Sequence, residues 1–169
     1  MKPYCIVDTN TRLWSLRDKA ATARGLSERE LSFAESCLGS DLANDKANAC
    51  EILLRASRSE STRQRAINTM EVLCSATQDE AYALGILTAM LYISENLLVT
   101  RKKLRDFAVR CGCSDAWEIR ANAVHVLRHL ANAGDTKAAT IIKALCSDPF
   151  EPVRVNALLS AKLLGLKIT

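Results

Sequence analysis

Two cysteines and two histidines form the one pattern in the sequence with metal-ligand spacing. Cys111-x-Cys113 is followed by His125-x-x-x-His129, and histidines four residues apart share one face of a helix. A zinc finger needs two to four residues between its cysteines, whereas a single residue separates this pair. The preceding segment, 104–111, has the periodicity of a helix rather than of a hairpin. We therefore predict no metal site and no cofactor.

Asp115 and Asp148 are the acidic residues that invite comparison with a general base. Each lies in a turn before a helix, shortly upstream of Arg120 or Arg154. A carboxylate in such a turn caps backbone N–H groups and pairs with an arginine nearby in the fold. The sequence has no GxSxG, no HExxH and no glycine-rich phosphate loop. These features favour a structural role for both aspartates and a protein that is not an enzyme.

Two basic runs are candidates for contacting an acidic surface. Arg101, Lys102, Lys103 and Arg105 place four positive charges at the start of a helix. Such charges oppose the helix macrodipole, at a cost of a few tenths of a kcal/mol (roughly), unless something compensates them. In the second run, 55–65, arginines surround a polar turn. The alternatives there are a phosphate site and a solvated rim whose arginines bond helix ends.

The elements that position these residues follow from an internal repeat. Residues 113–131 recur at 146–165, and both copies open Cys-Ser-Asp and run Arg-x-Asn-Ala into an apolar helix. Weaker copies begin at Lys46 and Arg63. The two best copies lie about 34 residues apart, a spacing typical of stacked helix pairs. We predict one domain, 1–169, with its best repeats at 101–132 and 135–165 and weaker repeats at 27–57 and 61–98.

The repeated residues resemble the HEAT-like repeat family. The matching pattern is a turn aspartate before Val/Ile-Arg, followed by Ala and Leu on one helix face, and the resemblance is strongest over 101–165. It implies an all-α fold, a right-handed α-solenoid of stacked antiparallel helix pairs with about eight or nine helices. It also implies that the second helix of each pair lines a concave surface, here near 44–56, 61–76, 116–132 and 150–165.

The resemblance implies architecture far more strongly than activity. Small free-standing proteins of this kind act as adaptors, chaperones or inhibitors, including immunity-type inhibitors of bacterial toxins. Asp115 beside Trp117 is weakly similar to the acid-plus-aromatic sites of HEAT-like DNA glycosylases, which gives an enzymatic alternative.

Composition agrees with an all-α protein. Apolar residues make up 49% of the 169 residues and aromatic residues only 5%. The net charge of +4 is well below that of a dedicated nucleic-acid binder. No signal peptide opens the chain, and no apolar run is long enough to span a bilayer. Seven cysteines, several at helical core positions, favour a reduced, cytoplasmic protein with structural thiols.

Local signals place several helices. Asp8 is a candidate cap for a first helix over roughly 10–24. In this helix Trp14 is either packed in the core, which we expect, or an exposed contact. Ser27 and Glu30 have the spacing of a capping box. Residues 79–98 are apolar all round, which predicts one buried central helix.

The leading functional prediction is a protein-binding surface on the solenoid. Off the packed stripe, the repeats align Glu71 with Arg128 and Lys162, and Asn68 with His125. The alternative is that these aligned polar residues only face solvent and bind no partner. A nucleic-acid partner held by the basic runs 55–65 and 101–110 is the alternative function. The predicted partner-binding residues are Asn68, Glu71, Arg101, Lys102, Lys103, Arg105, Trp117, His125, Arg128 and His129.

The last helix has leucines on more than one face, among them Leu158, Leu159 and Leu163. This pattern predicts either self-association through the C-terminal helix or back-packing of the tail, 167–169.

Overall fold

A computed structural model of the protein describes residues 8–22, 25–76 and 82–168. Within these ranges the chain forms α-helices and no β-strand, which confirms the all-α prediction. No helix in these ranges is both long and apolar enough to cross a bilayer. The ten helices are α1 (Thr9–Ala20), α2 (Glu28–Cys37), α3 (Ala43–Ala56), α4 (Glu60–Ala76), α5 (Ala83–Met90), α6 (Glu95–Thr100), α7 (Lys102–Cys111), α8 (Trp117–Asn132), α9 (Thr136–Leu145) and α10 (Glu151–Leu163).

The predicted single helix over 79–98 is wrong. Its division helps to give ten helices in the described residues, where eight or nine were expected. The first part of the segment, 79–81, lies outside the described residues. α5 ends at Met90, the chain turns, and Ser94 is extended (φ −61°, ψ 144°) before α6 begins. An apolar segment without periodicity carries no signal for such a break. α5 itself is buried, as predicted, through side chains that include Ile86 and Leu87.

The predicted helix starts are confirmed by their hydrogen bonds. Asp8 accepts the Thr11 N–H at 2.8 Å, so α1 begins at Thr9. Ser27 and Glu30 form the reciprocal bonds of a capping box at the start of α2. The hydrogen bond from Lys19 and the bonds from Ser27 lower the pKa of Glu30 to about 2.

Five helices pack on one another in succession. α1 contacts α3, α3 contacts α5, α5 contacts α8, and α8 contacts α10. We call these five helices the α1–α10 row. α4 packs mainly on α3 and α7, and α9 packs on α7, α8 and α10. The sequence repeat groups α4 with α8 and α10 as helices that line one surface. In the structure α4 packs mainly on α3 and α7 instead.

The two best repeats share a bonding pattern as well as a sequence. Arg120 Nη1 donates to the carbonyl oxygens of Ser114 (2.8 Å) and Asp115 (2.9 Å). Arg154 Nη1 donates to the equivalent carbonyls, those of Asp148 (2.7 Å) and Pro149 (2.9 Å). Each arginine therefore fixes the turn that precedes its own helix.

An ion pair joins the two repeats. Arg120 Nε lies 2.8 Å from Asp148 Oδ2, and Arg120 Nη2 lies 3.0 Å from Asp148 Oδ1. Asp148 also accepts the Phe150 N–H at 2.9 Å. Asp148 thus pairs with Arg120 and accepts a backbone N–H in the turn before α10, as predicted, although α10 itself has no side-chain cap. Asp115 differs because it is exposed and its carboxylate has no hydrogen bond or ion pair with any described residue.

The described cysteines are free thiols, and five of the six are buried. Burial raises the pKa of Cys74 to about 12, and it also raises the pKa of Cys50. Cys113 is the exposed one.

We expect alkylation of the native protein to modify Cys113 more than about tenfold faster than Cys50 or Cys74, because a thiol reacts as an accessible thiolate. Peptide mass spectrometry after a timed iodoacetamide reaction measures the three rates. In denaturant the rates should converge. Equal rates in the native protein would contradict the buried positions of Cys50 and Cys74.

Candidate functional site

Trp14 lies on the surface of α1, with 48% of its area exposed. The prediction that it packs in the core is wrong, because Leu13 and Leu16 occupy the buried face of the helix. Neighbouring helix positions point about 100° apart, so Trp14 is turned away from α3. The Arg17 guanidinium lies 4.9 Å from the centre of the indole ring, which is cation–π distance.

Arg17 also binds a buried carboxylate on the next helix of the row. Its Nε lies 2.9 Å from Glu51 Oε1, and Glu51 is only 1% exposed. Arg55 approaches the same oxygen to 4.0 Å. Burial raises the pKa of Glu51, and both guanidinium groups oppose that rise. The charge on Glu51 therefore depends on the two arginines, and Glu51 in turn fixes their positions.

A second aromatic ring completes the group. The Arg55 guanidinium lies 5.2 Å from the centre of the Tyr92 ring, in the turn after α5. Arg63 Nη2 donates to the Tyr92 carbonyl oxygen at 3.0 Å and thereby holds the turn. The arginine–aromatic cluster, as we call it, comprises Trp14, Arg17, Glu51, Arg55 and Tyr92. It joins α1, α3 and the turn after α5, which are three successive parts of the α1–α10 row.

Two buried polar atoms of α3 lie within this cluster or one helical turn from it. Asn48 Nδ2 and Glu51 Oε2 are both enclosed, and neither has a hydrogen-bond partner among the described residues. Buried polar atoms are paired in the great majority of cases, so two adjacent exceptions on one helix are unusual. The described fold therefore leaves two buried polar atoms of α3 without a hydrogen bond at this cluster.

The predicted basic site at the start of α7 is largely neutralised. Arg101 Nη1 pairs with Glu71 Oε2 at 3.5 Å, which brings together two predicted residues. Lys102 pairs with Asp106, and Arg105 Nε lies 3.7 Å from Asp135 Oδ2. Among the described residues, Lys103 alone of the four basic side chains has no ion pair. These acidic partners supply the compensation that positive charge at a helix start requires.

The run 55–65 is similarly engaged. Arg55 belongs to the arginine–aromatic cluster, and Arg65 pairs with Glu35. Arg63 bonds the Leu54 carbonyl oxygen near the end of α3, as expected of a rim whose arginines bond helix ends. Asn68, one helical turn further along α4, is exposed and accepts a bond from Gln64 at 2.8 Å. Few cations of this run remain for phosphate.

Three predicted residues lie together on α8. His129 Nδ1 is 3.0 Å from Glu95 Oε1, so this histidine joins α8 to α6. Burial, Arg128 and His129 together lower the pKa of His125, which keeps this imidazole neutral at physiological pH. In the described ranges, no three His, Cys, Asp or Glu side chains converge as metal ligands. α8 therefore presents a mixed polar face.

Trp117 has an aromatic neighbour in the following repeat. Its ring stacks on Phe150, with centroids 6.0 Å apart and planes 12° apart. The Arg120 guanidinium lies 5.6 Å from the Phe150 ring centre. This stack packs over the Arg120–Asp148 ion pair, so Trp117 contributes to the junction between the two repeats.

The structure thus distributes the predicted partner residues over separate places. Glu71 and Arg101 meet between α4 and α7, Trp117 lies at the repeat junction, and the histidines lie on α8. Sequence reasoning missed the arginine–aromatic cluster altogether. The one local signal was the i, i+4 pair Glu51 and Arg55, with Glu51 set between apolar neighbours on α3.

Comparison with known proteins supplies no relative. No protein-family model, no curated protein and no solved structure matches the chain.

Proposed function

We propose that this protein is a non-catalytic protein-binding module, an adaptor or inhibitor, that grips its partner on the solvent side of the α1–α10 row. The arginine–aromatic cluster is the centre of the contact, and the polar face of α8 extends it. Inhibition of a toxin, as by an immunity protein, is the narrower form of the proposal. A reducing, cytoplasmic site of action, expected from the cysteine pattern, belongs to the same proposal.

The architecture in this proposal is a right-handed α-solenoid similar to HEAT-like repeats. Two observations support it: helices of the α1–α10 row pack in succession, and Arg120 and Arg154 repeat one bonding pattern. Stacked helix pairs of this kind form a continuous side on which a partner can lie. α4 is not a member of the row and packs mainly on α3 and α7, so Asn68 and Glu71 are not part of the proposed contact.

The observation that carries the proposal is the exposed Trp14 set against two fixed arginines. Tryptophan, tyrosine and arginine are the residues that most often dominate the energy of a protein interface. The Glu51 carboxylate holds Arg17 in place before any partner arrives, so less side-chain freedom is lost on binding. A solvated surface needs neither a half-exposed indole nor a buried carboxylate beneath it.

The charges of the cluster indicate the kind of partner. Two guanidinium groups surround one carboxylate, so an excess of one positive charge lies beside two aromatic rings. A partner that presents a carboxylate next to an apolar side chain matches this surface. The carboxylate would pair with the exposed edge of Arg17 or Arg55, and the apolar group would cover Trp14.

We expect Trp14→Ala to weaken partner binding by at least about tenfold, the effect of losing an interface hot spot. Immobilised wild-type protein should retain one stoichiometric protein from the source lysate after nuclease treatment, and calorimetry with that protein measures the affinity. Val72→Ala is the matched control, because Val72 is 61% exposed on α4, outside the row. Equal binding by the wild-type and Trp14→Ala proteins would exclude the cluster as the contact.

The same experiment tests the nucleic-acid alternative. Retention that disappears with nuclease, and an affinity that falls steeply with salt, would support phosphate contacts through 55–65 and 101–110. The ion pairs of Arg65, Arg101, Lys102 and Arg105 argue against that result.

A further inference from the structure

α10 carries an apolar face that nothing in the described structure covers. Val155, Leu158, Leu159 and Leu163 are each between 43% and 63% exposed, at the spacing of one helix face. The opposite face packs on α8 and α9 through Val153, Ala157 and Ala161. Scattered surface leucines are ordinary, but a contiguous face of this kind marks an interaction site.

The tail does not cover this face. Gly165 has a φ of +64°, and the Leu166 N–H bonds the Ala161 carbonyl oxygen at 2.9 Å, a Schellman ending. That ending turns Leu166 back onto the core, where it is partly buried. Ile168 is 46% exposed. Of the two alternatives predicted for the last helix, back-packing is therefore wrong for the described tail, 167–168, while Thr169 lies outside the described residues.

We propose that a second copy of this chain covers the α10 face, in an antiparallel pair with two-fold symmetry. Two charges near the face select this arrangement. Glu151 lies in the first turn of α10 and Lys162 in the last turn, and both border the apolar stripe. An antiparallel pair places Glu151 of each copy opposite Lys162 of the other. A parallel pair would set like charge against like charge.

One register of the antiparallel pair matches charge and apolar groups together. With Glu151 opposite Lys162, Val155 lies opposite Leu158 of the second copy, and Phe150, which is 45% exposed, lies opposite Leu163. Val155 and Leu158 lie nearest the two-fold axis, and Leu159 lies opposite Arg154 of the second copy. The same patch serves both copies, as a closed two-fold interface requires. Burying this face also removes the apolar surface that an isolated copy leaves in water.

The first test is the oligomeric state, measured by sedimentation velocity over a wide range of concentration. We expect a wild-type dimer and a monomeric Leu158→Glu variant, because symmetry places the two introduced carboxylates close together beside the two-fold axis, among apolar side chains. Val72→Glu is the control, since it adds the same charge at an exposed valine of α4 and should leave the dimer intact. Helical circular dichroism and thermal melting show that each variant is folded.

The second test is a charge exchange. Glu151→Lys and Lys162→Glu should each weaken the dimer by about tenfold, because symmetry turns one substitution into two like-charge contacts of modest strength. The double variant restores both pairs and should return to nearly wild-type affinity. In a parallel pair each of these residues would face its own copy, so the single substitutions would leave like charge against like charge and would change the affinity little. A folded wild-type monomer at all concentrations, a dimeric Leu158→Glu protein or an unrestored double variant would each overturn the proposal.

The dimer is independent of the proposed partner site. Trp14→Ala lies on α1, at the other end of the α1–α10 row, and should leave the dimer unchanged. A dimer that binds no partner would contradict only the proposed partner site. A monomer that binds the partner would contradict only the dimer.

Discussion

Asp148→Asn is expected to lower the free energy of unfolding by about 3 kcal/mol. The substitution removes the counter-charge of Arg120, whose side chain is only 11% exposed, and weakens the cap on the Phe150 N–H. Arg120 keeps its bonds to two carbonyl oxygens, so we expect the lower end of the range for a broken buried pair. Urea unfolding followed by circular dichroism at neutral pH measures the difference.

The chain contains its own control for this prediction. Asp115 occupies the equivalent place in the preceding repeat, yet it is exposed and its carboxylate accepts no hydrogen bond from the described residues. Asp115→Asn should therefore change stability by less than about 0.5 kcal/mol. Equal costs for the two substitutions would mean that position in the repeat, and not the Arg120 contact, determines stability.

The pH dependence of this effect follows from the same ion pair. The hydrogen bond from Arg120 lowers the pKa of Asp148 below the model-peptide value of 3.8. The stabilisation is therefore complete above pH 3.8 and is lost as the pH falls through the lower pKa of the folded state. The stability gap between wild type and Asp148→Asn should be constant near neutrality and should narrow in acid. Other carboxyl groups act equally in both proteins and cancel.

This junction was within reach of sequence reasoning, because its parts recur at a fixed spacing. The copies at 113–131 and 146–165 identify the aspartate, the arginine and the apolar helix face together. The caps at Asp8 and Ser27 were equally predictable, since a cap depends on a few adjacent residues. Local chemistry and repetition are the two kinds of information that a single chain displays directly.

Other features depend on contacts between residues that are far apart in the sequence, which the sequence alone does not reveal. A periodic stripe shows that one side of α4 is buried, but it does not show that α3 and α7 bury it. Trp14 is large and apolar, yet the spacing of Leu13 and Leu16 gave them the core positions. The bond between Arg17 and Glu51 joins residues 34 positions apart, and no repeat connects them. The arginine–aromatic cluster was therefore invisible before the fold was known.

Gly112 is required because its neighbours leave no room for a side chain. Its φ of −65° suits any amino acid, so the backbone does not require glycine. A Cβ there would lie 2.8 Å from Leu127 Cδ1 and 3.0 Å from Ile141 Cγ2. In the repeat alignment Leu145 takes the equivalent place, and it is buried at the end of α9. The end of α7 approaches α8 and α9 closely because this side chain is missing.

We expect Gly112→Val to lower the free energy of unfolding by about 3 kcal/mol, because the added side chain overpacks the core. Leu127→Ala should lower it by about 3 kcal/mol, because it leaves a cavity. Gly39→Val is the control for adding a valine in a turn, because a Cβ at Gly39 meets only Ser36 O, at 3.5 Å. In the double variant the valine fills the space left by Leu127. Its cost should therefore fall short of the sum by at least about 1 kcal/mol in urea unfolding. Additive costs would show that the two sites do not share one packed space, because only side chains that compete for the same volume relieve one another.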